Sequence, residues 1–529
     1  MSGAHAAADA WTRRLADFLD ANAATRGDAE ALVTQDSRLT HAALRAEVRA
    51  TARALLSLGV RRGERIALLL PNDATWVTLF FAAASIGAVT VPMNTRWKAP
   101  EIAFALRQAE CVAVFSAPGF LSQDFRSFLL EAEPAIATGL PGAALPRLRA
   151  AVFTAGEAPA GAMSWAAFRA LDAGEAALDA SAAAVTSDDE LLVQFTSGTT
   201  AHPKGVLLTH QNMLRNAAAC AERLGVRADD RYLNCRPFFH VAGSTLSLLV
   251  CLVTGAALVT PPTFEAGAAL RLLETERCTV TSGNDAIFQL LLAHPAFDRS
   301  RLHLRAGWAA AGAETMRRIV DDLGIRDLCW AYGLSEASPN VVLSDHREPV
   351  EARIAGGAYP HPGIEVRIAP DGEIQVRGWS VMKGYVANAE ATAAAFTPDG
   401  WLRTGDLGSI GADGRLRWTG RLKDVIRVGG ENMAPAEVEE VLSTHPAVAL
   451  AQVVGVPDAR LGEVPVAFVQ LREGAEATSD ALLAWLKPKV AGFRLPRRLW
   501  IVPEFESIGM TASGKVQKVK LRDHALTLL

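Results

Sequence analysis

Ten residues, TSGTTAHPKG (196–205), place four hydroxyl side chains, two glycines and one lysine in a row. Backbone N–H groups beside glycines can cradle phosphate oxygens, Ser and Thr hydroxyls add donors, and Lys204 can neutralise charge. The stretch asks for an anion, above all a phosphate chain, although the Walker pattern G-x-x-x-x-G-K-S/T is absent. Four further stretches carry chemistry-bearing residues. In WAYGLSE (330–336), Glu336 offers Mg²⁺ a carboxylate and Tyr332 offers a base an aromatic face, with Gly333 between them. In GWLRTGDLG (400–408), Asp406 in a Gly-flanked turn can accept hydrogen bonds from two ribose hydroxyls. GRLKDVIRVGGEN (420–432) carries Arg421, Lys423 and Asp424 ahead of a Gly-Gly loop, and MTASGK (510–515) puts Lys515 in a loop containing glycine. Taken singly, the last four also fit a solvated glutamate, an Asp turn, a hairpin and a surface lysine.

The elements that must position these residues alternate between helix and strand. HAALRAEVRATARALLSLG (41–59) sets Leu44, Val48, Ala52 and Leu55 on one helical face and stops at Gly59. Strand 65–71, helix 74–86 and strand 89–93 form a βαβ unit. Further strands are expected at 111–115, 191–195, 256–260, 279–282 and 327–330. The phosphate-type loop is read as strand, loop, helix, with VLLT leading straight into HQNMLRNAAACAERLG. Continuous apolar strands favour parallel sheets covered on both faces. Residues 134–190, rich in Ala, Gly and Pro, read as a loose surface excursion. Beyond residue 365 two Asp-Gly turns sit beside alternating strands, a hairpin signature. PAEVEEVLSTHP (435–446) reads as a helix entered through Pro435, followed by two strands. The fold class expected is α/β. A large N-terminal domain of several subdomains (1–421) has mostly parallel sheets flanked by helices plus a β-rich subdomain. A small mobile α+β domain (422–529) closes the chain.

With 529 residues the chain is too long for one core. A net charge of −4 supplies no field for nucleic acid. The six cysteines, none in a C-x-x-C pair, read as reduced buried thiols of a cytoplasmic enzyme. MSGAHAAADAWTRRLADFLD lacks the pattern of a signal peptide. The uncharged stretches 76–93 and 246–262 approach membrane-spanning length, but each has an internal Gly and a β-branched run ending in Pro, which suits a buried helix turning into a buried strand; no membrane span is expected.

Together, and in this order, the five motifs resemble the adenylate-forming superfamily: acyl-CoA synthetases, luciferases and nonribosomal-peptide adenylation domains. Within it the chain is most similar to the acyl- and aryl-CoA ligases, from about residue 30 to residue 525. The resemblance implies an acyl-adenylate made from a carboxylate and Mg²⁺·ATP with release of pyrophosphate, then thioester formation with coenzyme A. It implies that Thr196, Ser197, Gly198, Thr199, Thr200 and Lys204 hold the β- and γ-phosphates. Ala311, Gly312 and Ala313 would line the adenine pocket, which Tyr332 and Gly333 flank. Ser335 would contact the α-phosphate, Glu336 would bind Mg²⁺, and Asp406 and Arg421 would hold the ribose. Lys515 would bridge the attacking carboxylate and the α-phosphate. Lys423 falls at the family's hinge, and Gly429, Gly430, Glu431 and Asn432 at its thiol tunnel. The chain departs from the family pattern at Ala201, where Gly is usual, and at Gly509-Met510, where a Pro-Lys or Pro-Arg pair is common.

By the same resemblance the acyl pocket takes in His240 as a gate, together with Asn284, Asp285 and Trp308. Asn284 or Asp285 also fits a helix N-cap, His240 a cap or core histidine, and Trp308 a core packer. Apolar surroundings point to a hydrophobic acid, medium-chain, alicyclic or aromatic. The partners expected are that small-molecule acid and coenzyme A. The rival readings are a stand-alone adenylation enzyme that loads an acyl carrier protein and a non-catalytic nucleotide- or acyl-binding homologue. A homodimer is left open.

Overall fold

Thr40, Asp73 and Thr209 each accept a hydrogen bond from a backbone N–H of the helix they precede, and these caps set where the N-terminal helices begin. The computed structural model describes residues 11–196, 203–429, 431–510 and 516–529. Helix His41–Ser57 packs Leu44, Val48, Ala52 and Leu55 inward, and the chain reverses at Gly59, whose φ of +92° favours glycine. Helix Ala74–Ser85 is buried on nearly every side, which explains its uninterrupted apolar sequence. Among the described residues no helix is long and apolar enough to cross a membrane.

Four sheets form among the described residues. The first runs, edge to edge, through Gly384–Tyr385, Lys204–Thr209, Glu190–Thr196, Val89–Pro92, Arg65–Leu69, Ala113–Ser116, Ala150–Phe153 and Met163–Ser164. Its pairings are parallel from Glu190–Thr196 onward. The second sheet carries Ala306–Ala310 and Asp327–Gly333 beside Val280–Thr281 and Arg231–Leu233, all parallel, with antiparallel strands at both edges. The third is an antiparallel meander, Ile364–Ile368, Glu373–Gly378, Leu402–Ile410 and Leu416–Arg421, its two tight turns made at Asp371-Gly372 and Asp413-Gly414. The fourth, C-terminal sheet is built on the long pair Val448–Asp458 and Gly462–Leu471, with helix Pro435–Ser443 packed on it. One hydrophobic core runs from Leu15 to Leu416, and separate clusters begin at Ile426.

Residues 204–209 are a strand, not the start of a helix: Lys204–Thr209 pairs antiparallel with Glu190–Thr196, so the chain makes a hairpin before helix His210–Leu224 begins. Thr209 ends the strand and caps the helix at once. Its hydroxyl takes Asn212 N–H at 3.1 Å while Asn212 Oδ1 takes Thr209 N–H at 3.0 Å. Nor is 134–190 a loose excursion. Ala150–Phe153 extends the first sheet in parallel register with Ala113–Ser116, and helix Glu175–Ala183 follows. The Ala-rich composition hides these short elements, which owe their stability to pairing with distant strands.

All six cysteines are free and buried. Burial pushes the thiols of Cys111, Cys220, Cys235, Cys278 and Cys329 up to about 12, and that of Cys251 well above its ordinary value. Burial acts in the opposite sense on two histidines, pulling His210 down to about 4 and His361 to about 3. His210 Nδ1 takes the N–H of Leu15 at 3.2 Å, which requires the neutral ring at that nitrogen. Both groups bind protons more readily in the unfolded chain. The stability they contribute is complete above about pH 6.5 and is lost as pH falls toward their folded values, by at most about 1.4 kcal/mol per pH unit each. The thermal unfolding midpoint is therefore expected to drop between pH 6.5 and 4.5, and His210→Gln to flatten part of that slope. A midpoint unchanged over this range would contradict it.

Candidate functional site

The hairpin brings Thr196 and Lys204 directly opposite each other. The Thr196 hydroxyl lies 3.4 Å from the Lys204 carbonyl. Ser197, Gly198, Thr199, Thr200, Ala201 and His202 lie outside the described residues, as do Gly430 and Lys515.

On the other side of Lys204–Thr209 runs the two-residue edge strand Gly384–Tyr385, with Tyr385 opposite Val206. Lys204 Nζ sits 5.1 Å from the centre of the Tyr385 ring. The Tyr385 hydroxyl donates to Glu336 Oε1 at 3.0 Å. Burial, together with the Glu336 charge, raises the Tyr385 phenol well above its ordinary value and keeps it a donor. Glu336 lies in the 3₁₀ turn Ser335–Ala337, half-buried, and its carbonyl takes Met382 N–H at 2.9 Å. Tyr385 thus joins the phosphate-type hairpin to the carboxylate. The sequence reading does not include it. Its only local signal is a tyrosine after glycine in VMKGYV, and its role depends on pairing with a strand some 180 residues earlier.

Tyr332 occupies the strand that feeds this turn. Its hydroxyl donates to Asp406 Oδ2 at 2.9 Å, and Arg421 Nε meets Asp406 Oδ1 at 2.7 Å. Burial and the Asp406 charge raise the Tyr332 phenol well above its ordinary value. Asp406 is not in a turn as expected. It lies within strand Leu402–Ile410, directly across from Arg421 on Leu416–Arg421, and the flanking Gly405 supplies a local kink with φ +67°. Its carboxylate is 1% exposed, Arg421 is more open, and the pair fixes the acid's orientation. Gly333, next to Tyr332, has no room for a side chain, because a Cβ would lie 1.9 Å from the Pro339 carbonyl. Ala311, Gly312 and Ala313 follow the end of strand Ala306–Ala310. Gly312 there starts the helix Ala313–Asp321, exposed and with nothing within 4 Å of a built Cβ.

The candidate acyl residues resolve differently. His240 Nδ1 accepts Ala242 N–H at 3.1 Å and caps a short helix. Asn284 Oδ1 accepts Ile287 N–H at 3.2 Å and caps helix Asp285–Ala293. Asp285 opens that helix and takes a hydrogen bond from Gln289 at 2.8 Å, and burial raises its pKa. Trp308 is 4% exposed in strand Ala306–Ala310. Lys423 is exposed in the turn Leu422–Asp424, between the meander and the C-terminal sheet. Gly429 turns with φ +59°, and Glu431 and Asn432 are exposed on the following strand.

Chemically the described part of the site offers a cation and a carboxylate linked by a tyrosine, and a second buried carboxylate held between a phenol and a guanidinium. Among the described residues no group of three or more His, Cys, Asp or Glu side chains could hold a metal ion. Glu336 as a single carboxylate suits a hard cation that is otherwise held by phosphate oxygens and water.

Residues 19–386 match the AMP-binding enzyme family and residues 437–515 the AMP-binding enzyme C-terminal domain. A 7a-methyl-1,5-dioxo-octahydro-1H-inden-4-yl propanoyl:CoA ligase of Mycobacterium tuberculosis is 40% identical over 501 residues, 94% of this chain and 96% of the relative. A mitochondrial medium-chain acyl-CoA ligase of Danio rerio is 34% identical over 524 residues, 94% of this chain and 86% of that one. Among solved structures, an anthranilate CoA ligase in complex with anthranoyl-AMP superposes with a TM-score of 0.85 at 26% identity, covering 98% of each chain.

Proposed function

The chain belongs to the AMP-binding enzymes and is an AMP-forming acid–CoA ligase, and from that premise we propose which residues carry the two half-reactions and what acid they serve. The observation that supports this assignment is the continuous contact chain from Lys204 through Tyr385 to Glu336, with Tyr332 on the strand that leads into the Glu336 turn and bonded to the Asp406–Arg421 pair of the meander.

In the first half-reaction a carboxylate oxygen of the acid attacks the α-phosphorus of ATP, the α–β bond breaks and pyrophosphate leaves. Asp406 is the acceptor for the ribose hydroxyls. Its other bonds, to Tyr332 and Arg421, hold it aimed before ATP arrives, so little reorganisation is needed on binding. Thr196, Ser197, Gly198, Thr199, Thr200 and Lys204 hold the β- and γ-phosphates, and Ser335 the α-phosphate. Tyr332 and Gly333, with Ala311, Gly312 and Ala313, border the adenine. Glu336 is the residue that would hold Mg²⁺, which when bound neutralises phosphate charge. Lys515 offsets the repulsion between the acid's carboxylate and the triphosphate. In the second half-reaction the thiol sulfur of coenzyme A attacks the acyl carbon, the acyl–phosphate bond breaks and AMP leaves. Gly429, Gly430 and Glu431 border the thiol's path, and the boundary at 421/422 with Lys423 is the hinge between the two poses.

The acid is hydrophobic: medium-chain, alicyclic or aromatic, the classes named for the relatives above. A screen of carboxylic acids for pyrophosphate release, with and without coenzyme A, tests this. Hydrophobic acids should release pyrophosphate and yield their CoA thioesters. A response to acetate or amino acids alone would refute the substrate class, and product only with a carrier protein would refute the acceptor.

Tyr385→Phe keeps the ring beneath Lys204 but frees Glu336 from its donor. Loss of the group that orients a metal-binding carboxylate weakens metal affinity by roughly 10-fold. The Mg²⁺ concentration for half-maximal adenylation should rise by about that factor while the KM for the acid stays put. An unchanged Mg²⁺ response would refute the link.

A further inference from the structure

Arg236 is a half-buried cation that the adenylation chemistry does not use. It follows strand Arg231–Leu233, four residues before His240. Its backbone is pinned. The side-chain amides of Asn72 and Asn234 donate to its carbonyl at 2.7 and 2.8 Å, and its own N–H donates to Asn234 Oδ1 at 3.1 Å. Its guanidinium carbon lies 4.2 Å from the centre of the Trp308 ring. Strands Arg231–Leu233 and Ala306–Ala310 flank Val280–Thr281 in the same parallel sheet, so the pair sits toward the carboxyl ends of the strands, where such sheets take their ligands.

The donors of this pair are unspent. Nε and Nη2 of Arg236 are shut off from solvent and make no hydrogen bond among the described residues, and the same is true of Trp308 Nε1. The environment that burial creates is not offset by an acid. Burial pulls the guanidinium down to about 10, and the groups that act against this are Tyr232 and Cys235, both neutral at pH 7. The side chain is therefore protonated at neutral pH, with two of its donors shielded from water and no counter-ion among the described residues. The stacked indole face accounts for part of its accommodation but satisfies none of its N–H groups. Buried donors left unmade are costly, and pockets typically spend a few such groups on orienting a ligand.

We propose that Arg236 and Trp308 form a specificity subsite for an oxygen acceptor on the acyl group, remote from the reacting carboxylate, so that the preferred acid carries a distal keto or carboxylate oxygen on an otherwise apolar frame. The proposal rests on reading the site as the acyl pocket of an acid–CoA ligase. Trp308 Nε1 and the two Arg236 donors, brought together by the stacking of guanidinium on indole, would serve such an acceptor, and an acid without it leaves them unpaired. A site built to hydrogen-bond a substrate group discriminates strongly against the analogue that lacks it.

The test is kcat/KM for octanoate, 7-oxooctanoate and octanedioate, read by pyrophosphate release with coenzyme A present. The wild type should favour at least one oxygenated acid over octanoate by about 10-fold or more. The keto and carboxylate arms tell which oxygen the subsite takes. Arg236→Met and Trp308→Phe should bring that ratio toward one, and Arg236→Lys, which keeps a cation, should keep part of it. A wild type that prefers octanoate, or an Arg236→Met variant that lowers all three equally, overturns the subsite. Equilibrium dialysis of the same acids against wild type, Arg236→Lys and Trp308→Phe decides the point without turnover, and equal binding by all three proteins would also overturn it. Failure of every acid to release pyrophosphate, alongside selective binding that depends on Arg236, would count against the ligase reading and leave the subsite standing.

Discussion

Asp406→Ala is expected to lower kcat/KM for ATP by about 10²–10⁴, the equivalent of two charge-assisted hydrogen bonds at roughly 1.5–3 kcal/mol each. The carboxylate is 1% exposed and already bound by Tyr332 at 2.9 Å and Arg421 at 2.7 Å. Its removal therefore takes away the proposed ribose acceptor and also leaves a phenol and a guanidinium without their partner. Asp406→Asn separates the two effects. The amide keeps the shape and one acceptor oxygen, so folding should survive while ATP affinity falls. Isothermal titration with ATP, beside the thermal midpoint of each variant, checks the division. Wild-type ATP affinity in Asp406→Asn would remove Asp406 from the nucleotide site.

Lys515→Ala should cost adenylation about 10³–10⁵, the scale at which one positioned cation acts on a phosphoryl-type transition state. The thioester half-reaction, started from supplied acyl-adenylate and coenzyme A, should be spared, because the carboxylate charge that Lys515 offsets is gone once the acyl–phosphate bond has formed. Loss of both half-reactions would refute the assignment. The complementary variant is Lys423→Pro. A fixed φ at an exposed turn between the two sheets should restrict rotation about it, slowing thioester formation more than adenylation. Equal slowing of both would argue against a hinge there.

The sequence alone shows where the polar loops are but not which of them touch. Tyr332, Glu336, Asp406 and Arg421 each stand beside glycines or at strand ends, where local pattern singles them out. Their assembly depends on pairings over long sequence distances, such as Asp406 with Tyr332 across 74 positions. Tyr385 escaped notice for the same reason: a two-residue strand has no periodicity, and only Val206 opposite gives it a place. The strand Lys204–Thr209 was hidden in another way. Val206, Leu207 and Leu208 run without a break into a strong helical pattern, and the boundary is marked only by Thr209, whose side chain serves the helix and whose backbone serves the sheet. Asn284 and His240 show the converse. Both read as pocket candidates or caps from their neighbourhoods, and the backbone N–H groups they accept show that each caps a helix.

The six shielded thiols have a practical consequence for measuring movement of the C-terminal part. Each is buried and held protonated far above neutral pH, so thiolate-directed dyes will find little to react with in the native protein. Cysteines introduced at Leu121 and Val519, which are 66% and 62% exposed, would then be labelled against a silent background without first stripping out the natural ones. A fluorophore pair at those two positions could follow the distance between the large and small parts of the chain in real time as acid, ATP and coenzyme A are added in turn.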